Sequence, residues 1–345
     1  MQKNRQMIDC KILSNKKILN TEKYFMLELE WKNANKIFLP GQFVEIEISK
    51  SLDTILRKPF TVFDATKNSI KIIYKVLGKG TRLLSYQKKA DFLNIIGPLG
   101  NFYNTKILDA KNDKKENNFQ NIFIIGAGTG AANIHFLIKN IINFEQNNND
   151  NYYYYLILGF KSKNDIFCLK EIFELKRRIA DLKKVENFQI FITTDDGSFD
   201  NGKKGYVTDF FGKFENKLKS EKSLIFMCGP KIVIKKWYEK MLKLNVNNSI
   251  ENLGDFKNPK IKNKSKDFKK ENKVLGLERS AKKFDFRVTE SFKMFASFEE
   301  YMACGLGVCN GCVIKVKDQK NKEKFKYKKV CECGTIFDLE EILWD

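Results

Sequence analysis

Histidine is almost missing from this chain: His135 stands alone among 345 residues. A zinc site built on mixed Cys and His ligands therefore has little to work with, and structural zinc otherwise favours two CxxC pairs. No apolar run approaches the ~20 residues that span a bilayer. The opening MQKNRQMIDCKIL lacks the apolar core of a secretion signal. A soluble cytoplasmic protein with reduced thiols is the expectation. Acidic residues are the minority charge, 42 against 63 Lys and Arg, for a formal net charge of +21. Such a surplus suits polyanion binding, yet no RNP1 or C2H2 pattern accompanies it. Lys, Asn, Ile and Phe are spread through the chain, so the charge reads as a solvated surface. A basic nucleic-acid-binding module with a structural metal is the alternative.

What the chain does have is a concentrated cysteine stretch, YMACGLGVCNGCVIKVKDQKNKEKFKYKKVCECGTIF, at 301–337. Cys304, Cys309 and Cys312 are spaced C-x4-C-x2-C, and eighteen residues separate Cys312 from Cys331. This is the plant-type [2Fe–2S] ferredoxin spacing, in which two irons and two sulfides need four soft thiolates from a tight loop. Gly305, Gly307 and Gly311 give that loop the freedom to curl. Zinc, a disulfide framework and free thiols are the competing readings. Cys333, two residues beyond Cys331, competes for the place of fourth ligand.

Along the chain, residues 6–100 read as short alternating β segments: MLELEW (26–31), FVEIEI (43–48), FTVFD (60–64) and SIKIIYKVL (69–77). Pro40-Gly41, Gly78-Lys79-Gly80 and Gly97-Pro98-Leu99-Gly100 punctuate them. Many short strands without an intervening amphipathic helix predict an antiparallel barrel. After the polar KNDKKENNFQ (111–120), buried-strand patterns at 121–125, 152–160, 188–194 and 223–229 alternate with helical patterns at 131–142, 165–184 and 230–244. That alternation predicts a parallel sheet covered on both faces. Between Lys257 and Lys273 lie eight lysines against two acids, a solvated linker or insertion. A compact terminal domain follows from about Phe286. The predicted class is multidomain α+β. It comprises an antiparallel barrel over 1–110, an α/β parallel-sheet domain over 118–245, a Lys/Asn-rich segment at 246–285 and a small cysteine domain at 286–345.

Gly126, Gly128 and Ala131 fit the G-x-G-x-x-G/A phosphate turn between strand and helix. A Rossmann NAD site would also show an acid at the end of the second strand, but Leu158-Gly159-Phe160 has none until Asp165. A dinucleotide turn of another kind and a ligand-free strand–helix turn both remain open. His135, on the apolar helix, reads as packed or capping. The tyrosines at 152–155 read as strand and core, and Cys10 and Cys168 as buried thiols.

The order of these parts carries more than each alone. A barrel with Lys58-Pro59-Phe60-Thr61, a glycine-turn domain and Cys228-Gly229-Pro230 at its last strand resemble the ferredoxin-reductase superfamily. SFEEYMACGLGVCNGC (297–312), VCECGTIF (330–337), ILRKPFTVFD (55–64), GKGTRLLS (78–85), GPLGNF (97–102) and TTDDGSFDNGKKGYVTD (193–209) narrow it. Together they resemble the electron-transfer subunits of NAD-dependent dihydroorotate dehydrogenase, over nearly the whole chain outside 245–285.

The resemblance implies a path in pyrimidine biosynthesis. A separate FMN-containing catalytic subunit oxidises dihydroorotate, and electrons pass through [2Fe–2S] and FAD to NAD+. It implies a heterotetramer with two of each subunit. Position by position it implies FAD at Lys58, Pro59, Phe60, Thr61, Ile73, Tyr74, Lys75, Gly80 and Thr81, and the cluster on Cys304, Cys309, Cys312 and Cys331. It puts the nicotinamide nucleotide beside Gly126, Gly128, Gly130, Asp195, Asp196 and Gly197, with Cys228 near the flavin and no catalytic base. The chain departs from the family pattern in three places. Lys58 stands where arginine is usual, which removes bidentate phosphate pairing there and leaves Arg57 as the neighbouring guanidinium. Cys333-Gly334-Thr335 replaces the usual Gly-Pro after the last cysteine, and the lysine-rich segment is added. A flavin reductase subunit serving a hydrogenase, sulfur reductase or oxygenase is the related alternative.

Overall fold

The computed structural model describes residues 5–18, 21, 23–49, 54–108, 119–145, 152–181, 187–253, 292–318 and 324–344. The predicted linker at 111–120 lies outside the described residues up to 118, and the lysine-rich segment lies outside them from 254 onward.

The N-terminal half forms one rolled antiparallel sheet. Its strands are β1 (Gln6–Lys17), β2 (Tyr24–Glu30), β3 (Phe43–Ile46), β4 (Lys58–Thr61), β5 (Asp64–Ala65), β6 (Ser69–Lys75) and β7 (Phe92–Leu99). They are ordered β4-β3-β7-β1-β2-β6-β5. A short helix α1 (Ala34–Ile37) follows β2, and α2 (Lys79–Tyr86) follows β6. Alternate residues point inward: Leu27, Leu29, Val44, Ile46, Ile70, Ile72 and Ile95 fill the roll around Trp31 and Phe38. The sheet is a half barrel, because its edge strands β4 and β5 are not paired to each other.

The second sheet is parallel at its centre. Strands β8 (Asn121–Ala127), β9 (Tyr153–Phe160), β10 (Phe188–Thr194), β11 (Lys203–Lys204) and β12 (Ser223–Cys228) alternate with α3 (Gly130–Glu145), α4 (Leu169–Asp181), α5 (Phe211–Ser220) and α6 (Lys231–Leu253). Ile122, Ile124 and Leu156 pack toward α3 and α4, while Phe123, Ile125 and Ile157 pack toward α5 and α6. Burial on both faces is why these strands read as continuous apolar runs. Tyr154 and Tyr155 enter the two opposite cores. Helix α6 runs to Leu253, nine residues past the sequence expectation.

The C-terminal stretch is not a separate layer throughout. Strand β13 (Phe292–Ser297) pairs parallel with β12, and β16 (Ile336–Asp338) pairs antiparallel with β13, so both extend the α/β sheet. Between them lie the cysteine loop, the hairpin β14 (Val313–Lys317) and β15 (Phe325–Lys329), and the turn α7 (Val330–Cys333). Phe292, Met294 and Ala296 are buried against the α5–α6 face, which is why β13 joins this sheet. The full order is β11-β10-β9-β8-β12-β13-β16. Strand order reverses between β8 and β12, and α/β sheets bind ligands at such a switch, beyond the strands' carboxyl ends.

Candidate functional site

At that switch point Gly130 sits against Cys228, and a Cβ there would overlap the Cys228 carbonyl. Gly126 approaches α3 so closely that a Cβ would stand 2.9 Å from the Ala131 Cα. Gly128 has φ +57 and donates its N–H to the Gly159 carbonyl at 2.8 Å. The three glycines thus bring the turn between β8 and α3 down onto the ends of β9 and β12.

Two cavities open on this face. The larger, about 570 Å³, is lined by Pro59, Phe60, Thr61, Ile73, Tyr74, Lys75 and Thr81 of the half barrel. Opposite them lie Thr129, Ala132 and Asn133 of the glycine turn and α3, and Ser297–Met302 with Thr335 from the C-terminal segment. Its size is within the range of about 300–1,000 Å³ usual for cofactor pockets. Seven of the nine flavin-side residues expected from the sequence therefore share one cavity. Lys58 and Gly80 sit beside it, with the Lys58 Cε 3.4 Å from where a Gly80 Cβ would be. The Thr81 hydroxyl accepts the N–H groups of Leu77 (2.9 Å) and Gly78 (3.2 Å), which fixes the turn into α2. Tyr74 donates to Asn15 Oδ1 at 3.0 Å, and burial pushes its phenol above the ordinary range.

Asn133 donates to Cys228 Sγ (3.4 Å) and Ser297 Oγ (3.1 Å) at the floor of this cavity. Its own Oδ1 is buried with no hydrogen-bond partner among the described residues. Such an acceptor suits the N–H edge of a planar heterocycle. Burial pushes the Cys228 thiol up to about 12, so it is a neutral donor or acceptor there. Arg57 donates to Asn94 and to Glu47 Oε2 (3.0 Å), which holds it on the barrel rim.

The second cavity, about 500 Å³, lies where a Rossmann acid would be sought. Lys161, Ser162, Asn164 and Asp165 follow β9, Asp195 and Asp196 follow β10, and Lys23 and Lys75 come from the half barrel. Lys75 lines both cavities; its ammonium donates to Asp165 Oδ1 at 3.1 Å and lies 4.9 Å over the Tyr24 ring. Asp196 accepts the Ser198 N–H at 2.9 Å, and the Ser198 hydroxyl, with that N–H second, lowers its carboxyl's pKa. Gly197, at φ +76, closes the turn away from this lining.

The cysteine loop lies against β3 of the half barrel, where Gly305 meets the Glu45 side chain. Leu306 and Cys309 aim backbone N–H groups at Cys304 Sγ (3.4 and 3.5 Å), Gly311 aims one at Cys309 Sγ (3.4 Å), and Cys331 aims one at Cys312 Sγ (3.4 Å). Burial alone would raise the Cys304 pKa, but the N–H groups of Cys309, Leu306 and Val308 outweigh it and bring the thiol down to about 6. A loop that aims donors at sulfur is built for thiolates. Among the described residues no three His, Cys, Asp or Glu side chains converge on a single-ion geometry. The thiols instead fall into two neighbouring pairs, Cys304 with Cys309 and Cys312 with Cys331. Cys331 is buried facing Cys312, whereas Cys333 is exposed on the other side of α7.

The sequence reading missed Phe43, Thr129, Asn133, Ser297 and Glu299 as cavity residues. The SFEEYM segment was read only as a flank of the cysteine loop; its place at the end of β13 is a fact of sheet pairing. His135 proves to be a packing residue, stacked on Phe63 with centroids 4.2 Å apart and Nδ1 3.3 Å from the Phe63 carbonyl. Cys10 and Cys168 are buried, and burial raises both thiols.

Comparison with known proteins agrees with this geometry. The model for the iron–sulfur cluster binding domain of dihydroorotate dehydrogenase B matches residues 299–343, and that for the oxidoreductase NAD-binding domain matches 124–238. The chain is similar to the protein named dihydroorotate dehydrogenase B (NAD(+)), electron transfer subunit, of Caldanaerobacter subterraneus subsp. tengcongensis, with 28% identity over 99% of this chain and 100% of that one. The Fusobacterium nucleatum protein of the same name is 27% identical over 97% of each. Among solved structures, an NADH-dependent reduced ferredoxin-NADP oxidoreductase superposes with a TM-score of 0.59 at 21% identity, over 97% of this chain and 90% of that one. Ferredoxin-NADP+ reductase of Plasmodium falciparum gives 0.51 at 18%, over 71% and 94%. The chain is a homologue of the electron-transfer subunits of dihydroorotate dehydrogenase B, built on a ferredoxin-reductase-like fold with a C-terminal iron–sulfur domain.

Proposed function

We propose that this chain is the subunit that carries electrons from an FMN-containing, dihydroorotate-oxidising partner to NAD+, and that it works in the cytoplasm as a heterotetramer with two of each subunit. The single observation that carries the reading is the convergence of Pro59, Phe60, Thr61, Ile73, Tyr74, Lys75 and Thr81 with Asn133 and Ser297 on one cavity, beside a loop that aims N–H groups at its thiols. Phe60 and Tyr74 would flank a flavin ring, the turn at Gly80 and Thr81 with Lys58 would meet its pyrophosphate, and Asn133 Oδ1 would accept from its polar edge. Cys304, Cys309, Cys312 and Cys331 would hold the [2Fe–2S] group. When bound, the cluster relays single electrons, while FAD collects two and releases them as hydride.

The remaining work belongs to the protein. Gly126, Gly128 and Gly130 hold the nucleotide turn close to Cys228, and Lys161, Lys75, Asp195 and Asp196 frame the second cavity for NAD. Cys228, neutral at working pH and buried behind Asn133, does not act as a base. The functional divisions we assign are 1–110 for FAD, 118–245 for NAD and 286–345 for the cluster, with β13 and β16 lent to the sheet.

Anaerobic purification should give a chain with one flavin and two irons plus two sulfides. Mixed with a catalytic dihydroorotate dehydrogenase subunit, it should couple dihydroorotate oxidation to NAD+ reduction, with a light-scattering mass of two plus two. Zinc in place of iron would refute the cluster. Flavin and iron without coupling to dihydroorotate would assign the chain to another reductase complex.

A further inference from the structure

Strand β3 is common to both halves of the candidate site. Its side chains alternate, with Val44 and Ile46 in the half-barrel core and Phe43 and Glu45 on the opposite face. Phe43 lines the larger cavity. Two residues on, Glu45 lies beneath the cysteine loop: a Cβ on Gly305 would stand 2.5 Å from Glu45 Oε1 and 2.6 Å from its Cγ. Gly305 has φ +63, so the loop beside Cys304 is shaped to lie on this side chain.

Glu45 is 1% exposed, and neither carboxyl oxygen has a hydrogen-bond partner among the described residues. The nearby Arg57 directs its hydrogen bonds to Glu47 and Asn94 instead. Burial pushes the Glu45 carboxyl up to about 7; Arg57 and Lys58 pull it down, and Cys304 pushes it up. A buried carboxyl without a partner costs several kcal/mol, and an apolar residue of similar volume is often more stable in its place. Packing therefore gives no reason for an acid here.

The reason we infer is the group this loop would carry. We propose that Glu45 is a positioning residue for the iron–sulfur group: its carboxyl seats the turn after Cys304 on β3 and supplies a hydrogen bond to the loaded loop. It thereby ties the cluster to the strand that also lines the flavin-side cavity. This rests on the cluster assignment above and deepens it. Partners that orient ligands from behind typically change metal affinity by roughly 10–100-fold when removed, and hydrogen bonding and charge around a cluster set its reduction potential.

The test compares the full-length wild-type chain with Glu45→Leu and Glu45→Gln. Before cluster loading, Glu45→Leu should melt at a higher temperature than wild type. After anaerobic reconstitution it should lose its visible cluster absorbance to a chelator roughly 10-fold faster or more, and its midpoint potential, followed by electron paramagnetic resonance, should shift from the wild-type value. Glu45→Gln, which keeps the shape and the hydrogen bonding, should stay near wild type in both readouts, and flavin content should be equal in all three. Wild-type chelator resistance and potential in Glu45→Leu would overturn the proposal. So would a fall in its melting temperature with loss of flavin, which would make Glu45 a general packing residue. A wild-type chain that takes up no iron would instead remove the cluster reading itself.

Discussion

His135 shows how one side chain's surroundings become a pH dependence. Burial lowers its pKa from the ordinary 6.5 to about 4; Asp64 and the Phe63 carbonyl raise it, and Lys139 and Lys71 lower it further. Below pH 6.5 the unfolded chain binds a proton that the folded chain refuses until about pH 4. The contribution is therefore present above 6.5 and is lost as pH falls through that window, by about 3 kcal/mol in all. Urea unfolding at pH 7.5 and 4.5 should show that His135→Gln removes this part of the acid loss; an unchanged slope would refute it. The cysteines give a second residue-scale prediction. Cys331→Ser should abolish the cluster's visible absorbance, because Cys331 is buried against Cys312, while Cys333→Ser, at an exposed position, should leave it intact. The spacing left Cys333 as a competitor to Cys331, the ligand that the resemblance implies. Only the short turn of α7, which points them to opposite sides, separates them.

At the scale of elements, the cluster segment is held to the half barrel by a few specific bonds. Asn101, just beyond β7, donates to the Ile336 carbonyl at 2.6 Å and accepts the Ile336 N–H at 2.7 Å. It thus acts as one more backbone partner for β16. The Thr335 hydroxyl donates to the Gly41 carbonyl at 2.9 Å, and a Cβ on Gly334 would overlap the Asn101 side chain. Asn101→Ala leaves a buried N–H and carbonyl unmatched, at a cost of about 1–3 kcal/mol. Hydrogen exchange should quicken over 330–338 while β8–β10 are unchanged; uniform quickening would show that Asn101 acts on the whole fold instead. The GPLGNF stretch was legible as a turn. Its bonding to a strand more than two hundred residues away was not, because nothing local in either segment encodes the meeting.

For the molecule as a whole, two half-buried ion pairs link the half barrel to the α/β sheet: Lys139–Asp64 at 2.6 Å and Lys75–Asp165 at 3.1 Å. Each contributes on the order of 1 kcal/mol, less at high salt. Asp165→Asn should lower the urea midpoint at low ionic strength by more than it does in 0.5 M salt, which unfolding curves at the two salts will check. An equal loss at both would mean that Asp165 acts through packing. Lys75 belongs to both cavities, so this variant should also raise KM for NAD+ while leaving the flavin in place.

The sequence by itself determined the local periods and chemistry. Alternating strands gave an antiparallel barrel, which the structure shows to be an open half barrel; apolar runs between helices gave the parallel sheet and the cysteine spacing the cluster loop, because each is a property of neighbouring residues. Only the tertiary structure decided which distant parts share a site. Sheet pairing carried β13 and β16 into the α/β domain, the switch between β8 and β12 set Asn133 beside Ser297, and the roll of the barrel buried Glu45 under Gly305. These are long-range packing outcomes, fixed by the total area each element can bury and not by any motif that contains it.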